Sequence, residues 1–260
     1  MAAGIIRQVT PEEEELVQKR EELTSVRAVL AERELELANL HGELKAFEGR
    51  YLREVGVLYA ELDALDASIA ELAAMLERSA SARKRAQDAR KRADNADEAV
   101  HGEEAKAPAF KPSAKLKSLY REAARRIHPD FARDDADRQR RTRFMAEANA
   151  AFSRGDAETL ERILTEYQDG SDATAGEGVG AELIRTIRQI AQAKKRIEAI
   201  RQEMEQLRAS ELALLEQDCI AAEKQGRDLL AELAATVREQ IARATKEHKT
   251  LAEEANRIYK

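Results

Sequence analysis

Four cations, Lys117, Arg121, Arg125 and Arg126, lead into the tripeptide His128-Pro129-Asp130. An imidazole two residues from a carboxylate could form part of an acid-base or metal site, but either chemistry needs further ligands or a reacting partner. No cluster of Cys, His or carboxylate with ligand spacing accompanies the pair, so we expect no enzyme activity, no metal and no cofactor. What remains is contact chemistry. An imidazole and a carboxylate fixed in a turn beside several cations suit docking onto an acidic protein surface, where rim charges steer encounter.

The elements that must position these groups are short helices. Leu116, Leu119 or Tyr120, Ala123 and Ile127 recur at spacings of three to four and define one apolar face, with the cations largely away from it. Pro129 disfavours helical backbone at His128, so the helix is expected to stop there and leave His128 and Asp130 in an exposed loop. A second helix is expected through Phe144, Met145, Ala148, Asn149, Ala151 and Phe152, capped by Asp134, Asp135 or Asp137 and ended by Gly155. Asp156 then caps a third, with Leu160, Ile163 and Leu164 inward. Residues 111–168 hold 13 Lys plus Arg against 10 Asp plus Glu, whereas the whole chain has a formal charge of -6. The central unit is therefore the electropositive part.

From Leu116 to Asp130 the order leucine, lysine, tyrosine, basic residue, alanine, basic residue and HPD resembles the second helix of the J-domain (DnaJ-like) co-chaperone family. Met145, Ala148, Asn149, Ala151 and Phe152 are similar to its third helix. The resemblance is divergent and covers about residues 113–168. It implies that His128, Pro129 and Asp130 signal to a DnaK-type heat-shock chaperone ATPase, with Lys117, Arg121, Arg125 and Arg126 as the positive docking face. Three departures stand out: the family's first helix has no counterpart in residues 95–112, where Phe110 is the only aromatic, its fourth helix is replaced by the segment around Asp156 to Tyr167, and Ile127 replaces the usual aromatic. A neighbouring coil must then cover the missing face, or the domain is truncated. The alternative is a structural scaffold whose J-like module makes no chaperone contact.

Two long amphipathic segments flank this module. Leu16, Leu23, Leu30, Leu37, Leu44, Tyr51, Leu58, Leu65 and Leu72 repeat every seven residues, the spacing of a coiled-coil seam. The companion positions Val26, Leu40 and Phe47 follow by three, whereas Val55, Leu62, Ile69 and Leu76 follow by four, which places a stutter near Tyr51 to Val55. A looser stripe from Leu183 to Ile258 marks the second segment. The expected organisation is all-α: an N-terminal coiled-coil arm at 1–92, a linker at 93–112, the J-domain-like module at 113–168, a Gly-rich linker at 169–181 and a C-terminal coiled-coil arm at 182–260. The arms suggest an antiparallel hairpin with the module at its tip, and separate parallel dimer seams are the alternative. Gly42, Gly49 and Gly56 are read as softening of an exposed face, with a close-packed partner site as the alternative.

Charged residues make up 36% of the 260 residues and aromatics 4%, without Trp, the composition of long helices with no large compact core. The single Cys219 is expected as a small packing residue in a reducing compartment. Neither a signal peptide nor a membrane span is visible, so a cytoplasmic location is expected. Net acidity argues against general nucleic-acid binding, and the runs Arg83-Lys84-Arg85 and Arg90-Lys91-Arg92 lack interleaved aromatics. They are read as a solvated face. His41, His101 and His248 are read as surface side chains. The expected partners are the chaperone ATPase, a client or partner protein on the coiled coils, and a second copy of the chain.

Overall fold

The computed structural model describes residues 10–102, 104–107, 109–167 and 178–258, and among these it is all-α, without a strand. Residues 1–9 and most of the expected Gly-rich linker lie outside them. The first helix, α1 (Pro11–Tyr51), opens on a reciprocal cap: Glu13 N–H donates to Thr10 Oγ1 at 3.3 Å and Thr10 N–H donates to Glu13 Oε2 at 3.0 Å. A π-helical turn at Leu52–Gly56 follows, and α2 (Val57–Glu77) continues without leaving helical backbone. This turn falls where the apolar repeat changes step. A widened turn absorbs one extra residue, which re-aims the stripe without breaking the helix.

The chain then reverses. Arg78 takes left-handed backbone (φ 52°), and the Ser79 side chain caps α3 (Ala80–His101) by accepting from Ala82 N–H at 3.1 Å. After a 3-10 turn at Glu104–Lys106 come α4 (Ala114–Ile127), a 3-10 turn at Pro129–Phe131, α5 (Asp135–Arg154) and α6 (Ala157–Glu166). The remaining helices are α7 (Val179–Arg208), α8 (Glu211–Glu223) and α9 (Leu229–Ile258). Residues 93–101, expected as linker, thus complete α3, because alanines at 82, 86, 89 and 93 give it a buried face that the polar composition concealed. The C-terminal arm is three helices. Ser210 caps α8, Gly226 supplies a positive φ of 75° in the following turn, and Asp228 caps α9.

The chain divides into two compact units. The first comprises residues 1–42 and 110–208 and holds two apolar cores. In one, Leu116, Tyr120, Ala123, Ala124 and Ile127 of α4 meet Met145, Ala148, Ala151 and Phe152 of α5 and Leu160 and Ile163 of α6. Ala31, Leu35 and Ala38 of α1 close it, so α1 covers the face for which no preceding short helix exists. In the other, Leu23, Leu30 and Leu37 of α1 pack with Ile190, Ala193, Ile200 and Met204 of α7. The two helices run parallel: Arg20 binds Glu182, Glu34 binds Arg196 and His41 approaches Glu203, each pair 162 residues apart. This corrects the antiparallel hairpin. The two helices pair within one chain and run in the same direction.

Within the second unit, residues 43–109 and 209–260, α3 lies antiparallel to α2. Ala67 and Ala70 meet Ala89 and Ala93, and Arg53 Nη1 donates to the carbonyls of Ala105 (2.6 Å) and Ala107 (3.0 Å). Small residues let the two backbones approach closely. α9 lies along α2 in the parallel sense, with Ser68 Oγ 2.8 Å from His248 Nε2, and Cys219 is a buried free thiol beside Phe47, Val55 and Leu230. The glycine reading also changes. A Cβ at Gly42 would stand 2.5 Å from the Phe110 ring, so Gly42 is the floor under an aromatic and not a soft exposed position.

Candidate functional site

The site lies in the first unit, where α4 ends. Ser113 caps α4 by accepting from Leu116 N–H at 3.1 Å, and the helix stops at Ile127 because His128 adopts extended ψ (132°) before Pro129. Tyr120 donates its hydroxyl proton to Asn149 Oδ1 at 2.7 Å, which ties α4 to α5. Burial holds the Tyr120 phenol well above its ordinary pKa. The caps expected of the later helices are present as well: Asp134 accepts from Asp137 N–H at 2.8 Å, Gly155 has φ 74°, and Asp156 accepts from Thr159 N–H at 3.0 Å.

The loop itself differs from its expected exposure. His128 is only 4% exposed. Its Nδ1 accepts from Asp130 N–H at 3.1 Å, which leaves Nε2 to carry the proton and donate to Glu34 Oε1 at 3.1 Å. Glu34, on α1, is itself 6% exposed. Arg196 of α7 grips it from the other side, Nε to Oε1 at 2.7 Å and Nη2 to Oε2 at 3.2 Å. Burial by itself would raise the Glu34 pKa, but the hydrogen bonds from His128 and Arg196 outweigh it and hold the carboxyl below its ordinary range.

Phe131, immediately after the tripeptide, explains the inward turn. Its ring is 2% exposed and belongs to the core between α1 and α7. The Arg27 guanidinium lies 4.6 Å over its centroid, and Gln189 Nε2 donates to the Phe131 carbonyl at 3.1 Å. Arg141 secures the other side of the loop, donating to Asp137 Oδ2 at 2.8 Å and to the Arg126 carbonyl at 2.8 Å. Once Phe131 is inserted and Arg141 holds the preceding backbone, His128 has little choice but to face α1.

The four cations take different environments. Arg125 is exposed and pairs with Glu122 at 3.3 Å, one helical turn away. Arg121 is half-buried and reaches Glu32 Oε2 of α1 at 3.3 Å. Arg126 donates to the Tyr167 carbonyl at 3.3 Å, and Lys117 is half-buried on the same helix. Pro129 and Asp130 remain half-exposed. The structure therefore keeps Arg125 and Asp130 near solvent and withdraws His128.

Glu34, Arg196, Arg141, Phe131 and Gln189 were not among the residues singled out from sequence. One signal existed. The companion stripe of α1 is apolar at Val26 and Leu40 but charged at Arg33 and Glu34 between them, an interruption inside a seam. His248, read as a surface side chain, is half-buried against Ser68. His101 sits beside Asp97 on its own helix, and Arg85 and Arg90 pair with Glu77 and Asp94. Among the described residues no group of three His, Cys, Asp or Glu is placed to hold a metal ion, and no helix is long and apolar enough to cross a membrane. Comparison of the chain with family models, curated proteins and solved structures gave no match.

Proposed function

We propose that this chain is a J-domain-type co-chaperone adaptor in which α4 and the His128-Pro129-Asp130 turn dock on a DnaK-type heat-shock ATPase and stimulate ATP hydrolysis. The observation that carries this reading is the pairing of α4 with α5. A cation-bearing helix ends at the tripeptide and is locked by Tyr120 to Asn149, so the residues that resemble the family are also the ones that make the contact. The chain itself makes or breaks no bond; it acts by contact, in the cytoplasm, without a cofactor. The long helices offer surfaces for a client or partner protein. Because Leu23, Leu30 and Leu37 are already covered by α7, a partner or second copy would use their outer faces.

Withdrawal of His128 onto Glu34 favours a second reading, a scaffold whose J-like module has no chaperone contact. The first reading then requires that the loop be released before docking. A steady-state ATPase assay with the host's DnaK-type chaperone separates the two. Under the adaptor reading the wild type stimulates hydrolysis, His128→Gln does not, and Glu34→Ala stimulates at a lower protein concentration than wild type. If neither wild type nor Glu34→Ala stimulates while both keep their helical circular dichroism, the scaffold reading stands.

A further inference from the structure

Three contacts fasten the tripeptide turn to α7. The Phe131 ring shares a core with Ile190, Ala193 and Ile200 of that helix. Gln189 Nε2 donates to the Phe131 carbonyl at 3.1 Å, and Arg196 grips Glu34, the carboxylate to which His128 donates. The helix that makes these contacts stands outside the module's own core. Among the described residues, the core of α4, α5 and α6 takes Ala31 and Leu35 from α1 and nothing from α7. α1 serves both cores, since its Leu23, Leu30 and Leu37 meet α7. Lifting α7 therefore leaves the pairing of α4 with α5 and α6 intact, whereas lifting α1 would open it.

The seam between α1 and α7 is polar where it meets the turn, and Gln189 and Glu34 are both buried there. An amide and a carboxylate in an apolar seam cost stability unless their hydrogen bonds are made. Here the turn makes them: the Phe131 carbonyl accepts from Gln189, and His128 donates to Glu34. A turn drawn outward would leave Gln189 without that acceptor and Glu34 without that donor. A lifted α7 would leave Phe131 uncovered and Glu34 without Arg196. The seated helix and the inward turn therefore stabilise each other, and such coupling is reciprocal.

We infer that α7 is a removable clamp that keeps the His128-Pro129-Asp130 turn closed, so that the chain is autoinhibited until α7 is displaced. The regulation rests on the co-chaperone reading proposed above, in which His128 must reach a chaperone surface. With α7 seated, Pro129 and Asp130 are half-exposed but His128 is buried, so the docking contact is incomplete. Displacement uncovers Leu23, Leu30 and Leu37 on α1 and Ile190 and Ile200 on α7, which keeps the open state minor in the isolated chain.

Native-state hydrogen exchange and the ATPase assay, both on the full chain, test the clamp together. In the wild type the amides of Phe131 and Ala132 and those of the middle of α7 should exchange through one shared opening, of lower free energy than the opening that exposes α4. Ile200 is fully buried in the seam, one turn beyond Arg196. Ile200→Ala should speed exchange of the turn and of α7 by the same factor, about tenfold or more, and lower the concentration for half-maximal stimulation by that factor while the open state stays minor. Ile200→Val should do both to a smaller extent in the same proportion, and Arg201→Ala, at an exposed position, should behave as the wild type. Unchanged exchange of the turn in Ile200→Ala, opening of α7 only together with α4, or equal stimulation by wild type and Ile200→Ala would each overturn the clamp, and stimulation by the wild type would still uphold the co-chaperone reading. A shared opening of the turn and α7, with no stimulation by any of these proteins, would support the clamp and overturn the co-chaperone reading.

Discussion

His128 Nε2 lies 3.1 Å from Glu34 Oε1, and the residue expected at the tip of an exposed loop is thereby one of the most buried polar groups of its unit. The contact joins positions 94 residues apart, and Arg196 completes it from a third helix. Replacing Glu34 by Gln leaves His128 buried against an amide and Arg196 with only the Glu203 carboxylate, 3.6 Å away. Because Arg196 is a third exposed, the cost should be about 1–3 kcal/mol, below that of a fully enclosed pair. Urea unfolding followed by circular dichroism measures it. An unchanged midpoint would show that the Glu34 contact contributes nothing to stability.

The same carboxylate predicts a pH dependence. Its folded pKa is depressed, so the stabilisation is complete above the unfolded value of about 4.3 and is lost as pH falls through the folded one. As pH falls below about 4.3 the wild type should therefore lose stability more steeply than Glu34→Gln. Parallel slopes for the two proteins would contradict this.

Phe131 is the anchor that turns the loop inward. Phe131→Ala should cost about 3–5 kcal/mol, as for other buried aromatics, and should speed amide exchange across 128–133 more than across α4. Uniform acceleration of both segments would mean that the ring serves the whole core and does not specifically seat the loop.

Gly42→Ala sets two effects against each other. Alanine improves helix propensity by about 1 kcal/mol, but its methyl would stand 2.5 Å from the Phe110 ring, and overpacking costs about 1–3 kcal/mol. The substitution should lower the melting temperature of the wild type and raise that of Phe110→Ala. A double-mutant cycle with no coupling would rule out the contact.

Ala67 has no exposed surface and faces Ala89 and Ala93. Ala67→Leu should force α2 and α3 apart at a cost of about 1–3 kcal/mol, whereas the same change at exposed Ala242 of α9 should be nearly neutral. Equal effects at both positions would refute close packing of α2 on α3.

Much of the secondary structure was legible because its causes are local. Asp134 and Asp156 cap the helices they precede, Gly155 ends α5, and Pro129 stops α4 one residue after Ile127. The apolar faces of α4, α5 and α6 follow from their three-to-four spacing, and even the change of step near Tyr51 marked the π turn. Each of these depends on residues within a turn or two of one another.

Direction, partner and exposure were decided elsewhere. That α1 and α7 run parallel is seen only where their residues meet, Arg20 with Glu182 and Glu34 with Arg196, and the buried face of α3 is made only of alanines, which carry little hydrophobic signal. That Gly42 is packed depends on an aromatic 68 residues away in sequence, Phe110. That His128 is buried depends on Phe131 inserting between α1 and α7 and on Glu34 and Arg196 meeting there. Local rules specify where backbone hydrogen bonds start and stop. Which charged side chain finds which partner is settled only when distant helices pack, because a carboxylate leaves water for a buried site only where that packing supplies its donors.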